Sequence, residues 1–65
     1  MTRKHFTAIA DALGLSIRQN PQCEAFVFDV VVPQLSRSLL TFNPLFDRER
    51  FIERIEAVAF GELPV

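Results

Sequence analysis

Apolar residues along this chain fall on helical stripes, and the first and last stripes open on the same short phrase. Phe6, Ile9, Ala10, Leu13 and Ile17 recur at the spacing of one helix face. Phe51, Ile52, Ile55, Val58 and Ala59 do the same near the end, with Glu49, Glu53 and Glu56 on the other side. Thr2-Arg3-Lys4-His5-Phe6 precedes the first stripe, and Asp47-Arg48-Glu49-Arg50-Phe51 precedes the last. Thr and Asp are good N-caps, because their side-chain oxygens accept backbone N–H groups that lack a partner inside the helix. Met1 and Phe46 stand just before these caps, and a Phe follows each cap at the fourth helical position. Both phrases therefore read as hydrophobic staples. The pattern predicts a first helix from Arg3 to about Leu13, ended by Gly14, or extended by a turn to Arg18 or Gln19 if Gly14 is tolerated inside. Leu15 to Gln22 form a connection with Asn20-Pro21 as its turn signal. A last helix is predicted from Asp47 to about Phe60, stopped by Gly61, with Pro64 barring a return to helix.

The middle of the chain supports two readings. From Gln22 to Phe42 a helical stripe runs through Phe28, Val31 or Val32, Leu35, Leu39 and Phe42. Against it stand the β-branched and aromatic residues from Phe26 to Val32, which favour a strand. Pro33 also costs about 3 kcal/mol inside a helix, and its ring clashes with the carbonyl of Asp29. No second β-rich run exists to pair with a strand, and even a two-stranded hairpin is only marginally stable. A long helix kinked at Pro33 is the preferred reading. The alternative is a strand over residues 26–32 exchanged between two copies. Asn43 precedes Pro44 and is pushed out of the helical region, which marks the end of this element.

The expected fold is all-α, a small three-helix bundle with a long central helix kinked at Pro33, in one domain spanning residues 1–65. Helices joined by short loops alternate in direction. The first and last helices then run parallel, and their N-termini share one pole beside the C-terminus of the middle helix. That pole gathers Arg3, Lys4, His5, Arg48 and Arg50 as candidates for binding an anion or a partner. Helix N-termini favour anions for the same electrostatic reason. The internal alternative is that these side chains cap the last carbonyls of the middle helix and pair with Asp47 or Glu49.

Composition narrows the choice of function. The chain has 65 residues, 49% of them apolar, including seven Phe. A chain this short buries only about 60% of its unfolded surface, so its stability margin is thin and leftover apolar surface invites a cover. Phe26, Val27, Val30 and Leu40 lie off the main stripe of the middle helix and form a candidate apolar interface for a protein partner or a second copy. The alternative is one broad face that uses them all. The formal net charge of −1 counts against a dedicated nucleic-acid binder.

Catalytic chemistry finds little support. His5 and Cys23 are the sole histidine and cysteine, so neither an internal disulfide nor a metal site is expected. The two glycines stand far apart and form no phosphate loop, so no cofactor is expected. A general base at His5 would need a nucleophile and an orienting group, and no serine or threonine stands in a nucleophile motif. Cys23 reads as a small half-buried residue rather than a reactive thiol. No enzyme is expected. The run from Phe26 to Val32 is too short to span a bilayer and contains Asp29. The N-terminus shows no apolar signal region, so the expectation is a cytoplasmic protein with no membrane association.

Three pieces together carry a resemblance: Thr2-Arg3-Lys4-His5-Phe6, Ile9-Ala10-Asp11-Ala12-Leu13 and Asn43-Pro44-x-Phe46-Asp47-Arg48-x-Arg50-Phe51. They resemble short proteins encoded by bacteriophages and bacterial prophage regions, where the phrases read approximately T-R-K-H-F, I-A-x-x-L and N-P-x-F-D-R-x-R-F. The resemblance covers both ends, roughly half of the chain. It departs in the middle, at the valine run and Pro33, and at Ala59-Phe60-Gly61, where such proteins often end Ala-Cys-Gly. The resembling proteins are mostly of unknown function, so the resemblance implies a setting and no mechanism. In that setting the expected function is a small accessory protein that acts by binding another protein, such as a host or defence component, in the host cytoplasm. The alternative, from a different class, is a nucleic-acid-binding accessory protein that uses the basic pole.

Overall fold

A computed structural model describes residues 3–61 of the chain. The Thr2 cap, the Met1 staple and the Pro64 stop lie outside the described residues. The described backbone forms three helices and no strand. Helix α1 spans Arg3–Gln19, α2 spans Pro21–Phe42 and α3 spans Arg48–Ala59. The stretch 26–32 is therefore helical.

The stop at Gly14 gives way to the alternative, because α1 runs through it to Gln19. The chain leaves the helix at Asn20, with φ −142° and ψ 80°, just before Pro21. Gly14 has a different task. A Cβ placed there would lie 2.6 Å from Cβ of Val58 and 2.9 Å from the carbonyl oxygen of Ile55. Glycine stands there because α1 and α3 approach too closely for a side chain.

The α2 helix is assembled from pieces: a 3₁₀ turn at Pro21–Cys23, α-helix at Glu24–Phe26, a π turn at Val27–Val31 and α-helix at Val32–Phe42. Its irregularity answers Pro33. Proline has no N–H to donate, and its ring crowds the carbonyl four residues back. The turn just before Pro33 is widened, so that the Val32 N–H donates to the Val27 carbonyl, five residues earlier. Proline then enters at the first turn of the following α segment, where a missing N–H is tolerated. The wide turn also rotates the buried face. Val27, Val32, Ser36 and Leu39 are buried, and Cys23 is half-buried. The step from Val27 to Val32 is the five-residue step of a π turn, whereas Cys23 to Val27 and Val32 to Ser36 are steps of four.

A short linker turns the chain from α2 into α3. The Asn43 side chain accepts the Leu45 N–H at 3.0 Å, and its carbonyl accepts the Phe46 N–H at 2.9 Å. Asp47 then caps α3, its carboxylate accepting the Arg50 N–H at 3.1 Å. The staple forms as expected, with the Phe46 and Phe51 ring centroids 5.2 Å apart at 67°. Phe6 of α1 joins it, 4.9 Å from Phe46 in an edge-to-face arrangement. At the far end Gly61 takes φ 79°, and its N–H donates to Val58. This is the left-handed stop expected of glycine there.

Contacts between α1 and α3 advance together along both helices. Phe6 meets Phe46 just before α3, Asp11 meets Arg54, and Gly14 faces Ile55 and Val58. The two helices therefore run parallel, with their N-termini at one pole. The buried face of α2 closes the core, adding Val27, Val32 and Leu39 to Ala10, Ile17, Phe46, Phe51, Ile55 and Ala59.

Candidate functional site

At the shared pole the Phe6, Phe46 and Phe51 cluster floors an open cleft of about 500 Å³. Arg3, Arg50 and Arg54 line it, together with Asp47, Asn43 and Leu45. Of the five basic residues expected at this pole, the cleft takes Arg3 and Arg50. Lys4, His5 and Arg48 are exposed and stand outside its lining. Two of the three arginines are already engaged. Arg50 lies 3.5 Å from the Asp47 carboxylate in a solvent-exposed pair, the kind that stabilises little. Arg54 makes two bonds to Asp11, with Nε at 2.5 Å from one carboxylate oxygen and a terminal nitrogen at 3.1 Å from the other. Arg3 has no ion-pair partner among the described residues.

The Asp11–Arg54 bridge is half-buried and ties α1 to α3. The hydrogen bond to Asp11 raises the Arg54 pKa above the ordinary arginine range, desolvation opposes the rise, and the Asp11 charge adds to it. A raised pKa means that what the guanidinium contributes is fully present below its unfolded pKa. It is lost only as pH rises through the higher folded value, beyond the range in which proteins normally work. Neither residue had been singled out as functional, and the signal for the pair is long-range. Once two parallel helices begin with equivalent phrases, Asp11 and Arg54 fall at nearly the same height.

The second candidate surface is the outward side of α2. Phe26, Val30 and Leu40 are exposed, at 61%, 37% and 42% of their full accessibility. Val27 is a correction, since it is 6% exposed and belongs to the core. The π turn inserts a residue between it and Val32 and turns it inward. Phe42 is also a correction: it was placed on the inward stripe and is 72% exposed. Leu45 and Phe60 are exposed as well, one at each end of the molecule. By length and composition α2 is long and apolar enough to cross a membrane, and only 22% of its most apolar stretch is buried. The expectation that residues 26–32 are too short for a bilayer considered only a fragment of this helix.

Cys23 is half-buried, and its thiol faces the Ser16 carbonyl at 3.7 Å. Comparison with protein-family models, with curated proteins and with solved structures finds no match to this chain. Function has to be read from the chain's own surfaces.

Proposed function

We propose that this chain is a small accessory protein of phage or prophage setting that acts in the host cytoplasm by binding another protein. One observation supports the reading above the rest: the 22-residue apolar helix α2 lies against the core and leaves Phe26, Val30, Leu40 and Phe42 in solvent. Single exposed hydrophobic residues are ordinary, but four large ones on one helix of so small a chain favour a partner. The basic pole supports the nucleic-acid alternative less well, because Asp47 and Asp11 hold Arg50 and Arg54.

Two measurements test the reading. The first compares capture of a host protein by the wild-type chain and by a Phe26→Asp, Leu40→Asp double variant. A partner retained by the first and lost by the second is the expected result, and equal capture overturns the proposal. The second is a DNA titration across salt. A binder using the pole loses affinity by about 10³-fold or more between 50 and 200 mM salt if it neutralises several phosphates. The proposal expects little DNA affinity at either concentration.

A further inference from the structure

We infer that the outward face of α2 pairs with the same face of a second copy, the two helices running antiparallel about Pro33. The inference rests on the protein-binding reading above and gives that face a second copy as its occupant where no host protein is bound. Its support is the order of charges along α2. The helix carries three charged residues, Glu24, Asp29 and Arg37. All three are exposed, and none has an ion-pair partner among the described residues. The acids lie in the N-terminal half and the base in the C-terminal half. The helix macrodipole does not account for Asp29 and Arg37, because its effect fades within the first and last turns.

Self-complementarity does account for them. Asp29 and Arg37 stand four residues on either side of Pro33, and Phe26 and Leu40 stand seven. An antiparallel partner centred at Pro33 sets Asp29 level with Arg37 of the second copy, and the two-fold axis repeats the pair. Phe26 and Leu40, next to buried Val27 and Leu39 on opposite flanks of the inward stripe, stand at the two margins of that face. The π turn takes up an extra residue, so Asp29 and Arg37 are separated by about two turns and share one side of the helix. A parallel pairing would instead stack Asp29 on Asp29 and Arg37 on Arg37.

A charge-swap cycle read by light scattering and sedimentation tests this. The wild-type chain is expected at twice its monomer mass at micromolar concentration. Asp29→Arg alone and Arg37→Asp alone should each weaken association tenfold or more, and the two changes together should restore it. Circular dichroism checks that each variant stays helical. If a single swap fails to fold, Asp29→Asn and Arg37→Gln replace it and should still weaken association. A wild-type monomer at all concentrations, single swaps without effect, or a double swap that stays weak overturns the inference. Binding of the monomer to neutral phosphatidylcholine vesicles in place of self-association overturns it in favour of a lipid surface. A monomer that still captures a host protein in a Phe26- and Leu40-dependent way overturns the dimer and leaves the protein-binding reading standing.

Discussion

Along the seam between α1 and α3 the backbones come so close that one methyl group on Gly14 would strike Val58 and the Ile55 carbonyl. Along the outward side of α2, by contrast, Phe26 and Leu40 stand in solvent. The same small chain thus holds one interface packed to the limit and one helix with large apolar side chains left in solvent. The difference assigns the two regions different work. The seam carries the Phe6–Phe46 ring contact, a glycine contact and a two-bond salt bridge, all devices that fix two helices in register. The outward face of α2 carries large apolar groups that contribute little to the monomer's own core. Stability should therefore be sensitive to change on the seam and nearly indifferent to change on that face.

The largest expected effect is on the seam, at Phe51. The ring is 4% exposed and packs edge-on against Phe46. Phe51→Ala should destabilise the chain by about 3–5 kcal/mol, much of the total for so small a domain. Chemical denaturation checks it, and an unchanged midpoint would mean that the staple is ornamental.

Gly14→Ala should come next, at about 1–3 kcal/mol for overpacking. Alanine is the better helix former by about 1 kcal/mol, so the sign itself is informative. On an uncrowded helix surface the change would stabilise. Here the clash includes the Ile55 backbone oxygen, which cannot rotate away as a flexible side chain can. A raised melting temperature for Gly14→Ala would show that the seam can open, and would erase the contrast with α2.

What could be read from sequence follows the range of each interaction. The start of α3 was legible because Phe46, Asp47 and Phe51 act within one turn, and cap and staple need no knowledge of the rest of the chain. The end at Gly61 was legible for the same reason. Gly14 was ambiguous because local preference makes glycine a stop, whereas its use inside the helix is set by Val58, far along the chain. Val27 was misread because a uniform helical period was assumed through Pro33. The π turn inserts a residue ahead of the proline and shifts every residue before it. At the pole, the sharing of one end by Arg3 and Arg50 followed from the direction of the helices. Which basic residues line the cleft did not, because it depends on side-chain partners such as Asp11 that only the packed structure brings together.

The smallest expected effect, and the sharpest use of the comparison, lies in two adjacent residues of α2. Phe26 is 61% exposed and Val27 is 6% exposed, yet both had been assigned to one outward face. Val27→Ala removes two methyl carbons from the core. Full burial of a valine side chain is worth roughly 1.5–3 kcal/mol, so truncation should cost a sizeable part of that. Phe26→Ala removes a much larger group, but one the core hardly holds. Its effect on the monomer should stay within about 0.5 kcal/mol, as for surface positions without special roles. Urea denaturation should be run at concentrations low enough to keep the chain monomeric, since self-association would add its own stabilisation. If the larger truncation costs more than the smaller one in the isolated monomer, the rotation attributed to the π turn is wrong. If Phe26→Ala is neutral in the monomer and costly at high concentration, the residue acts at an interface and not in the fold.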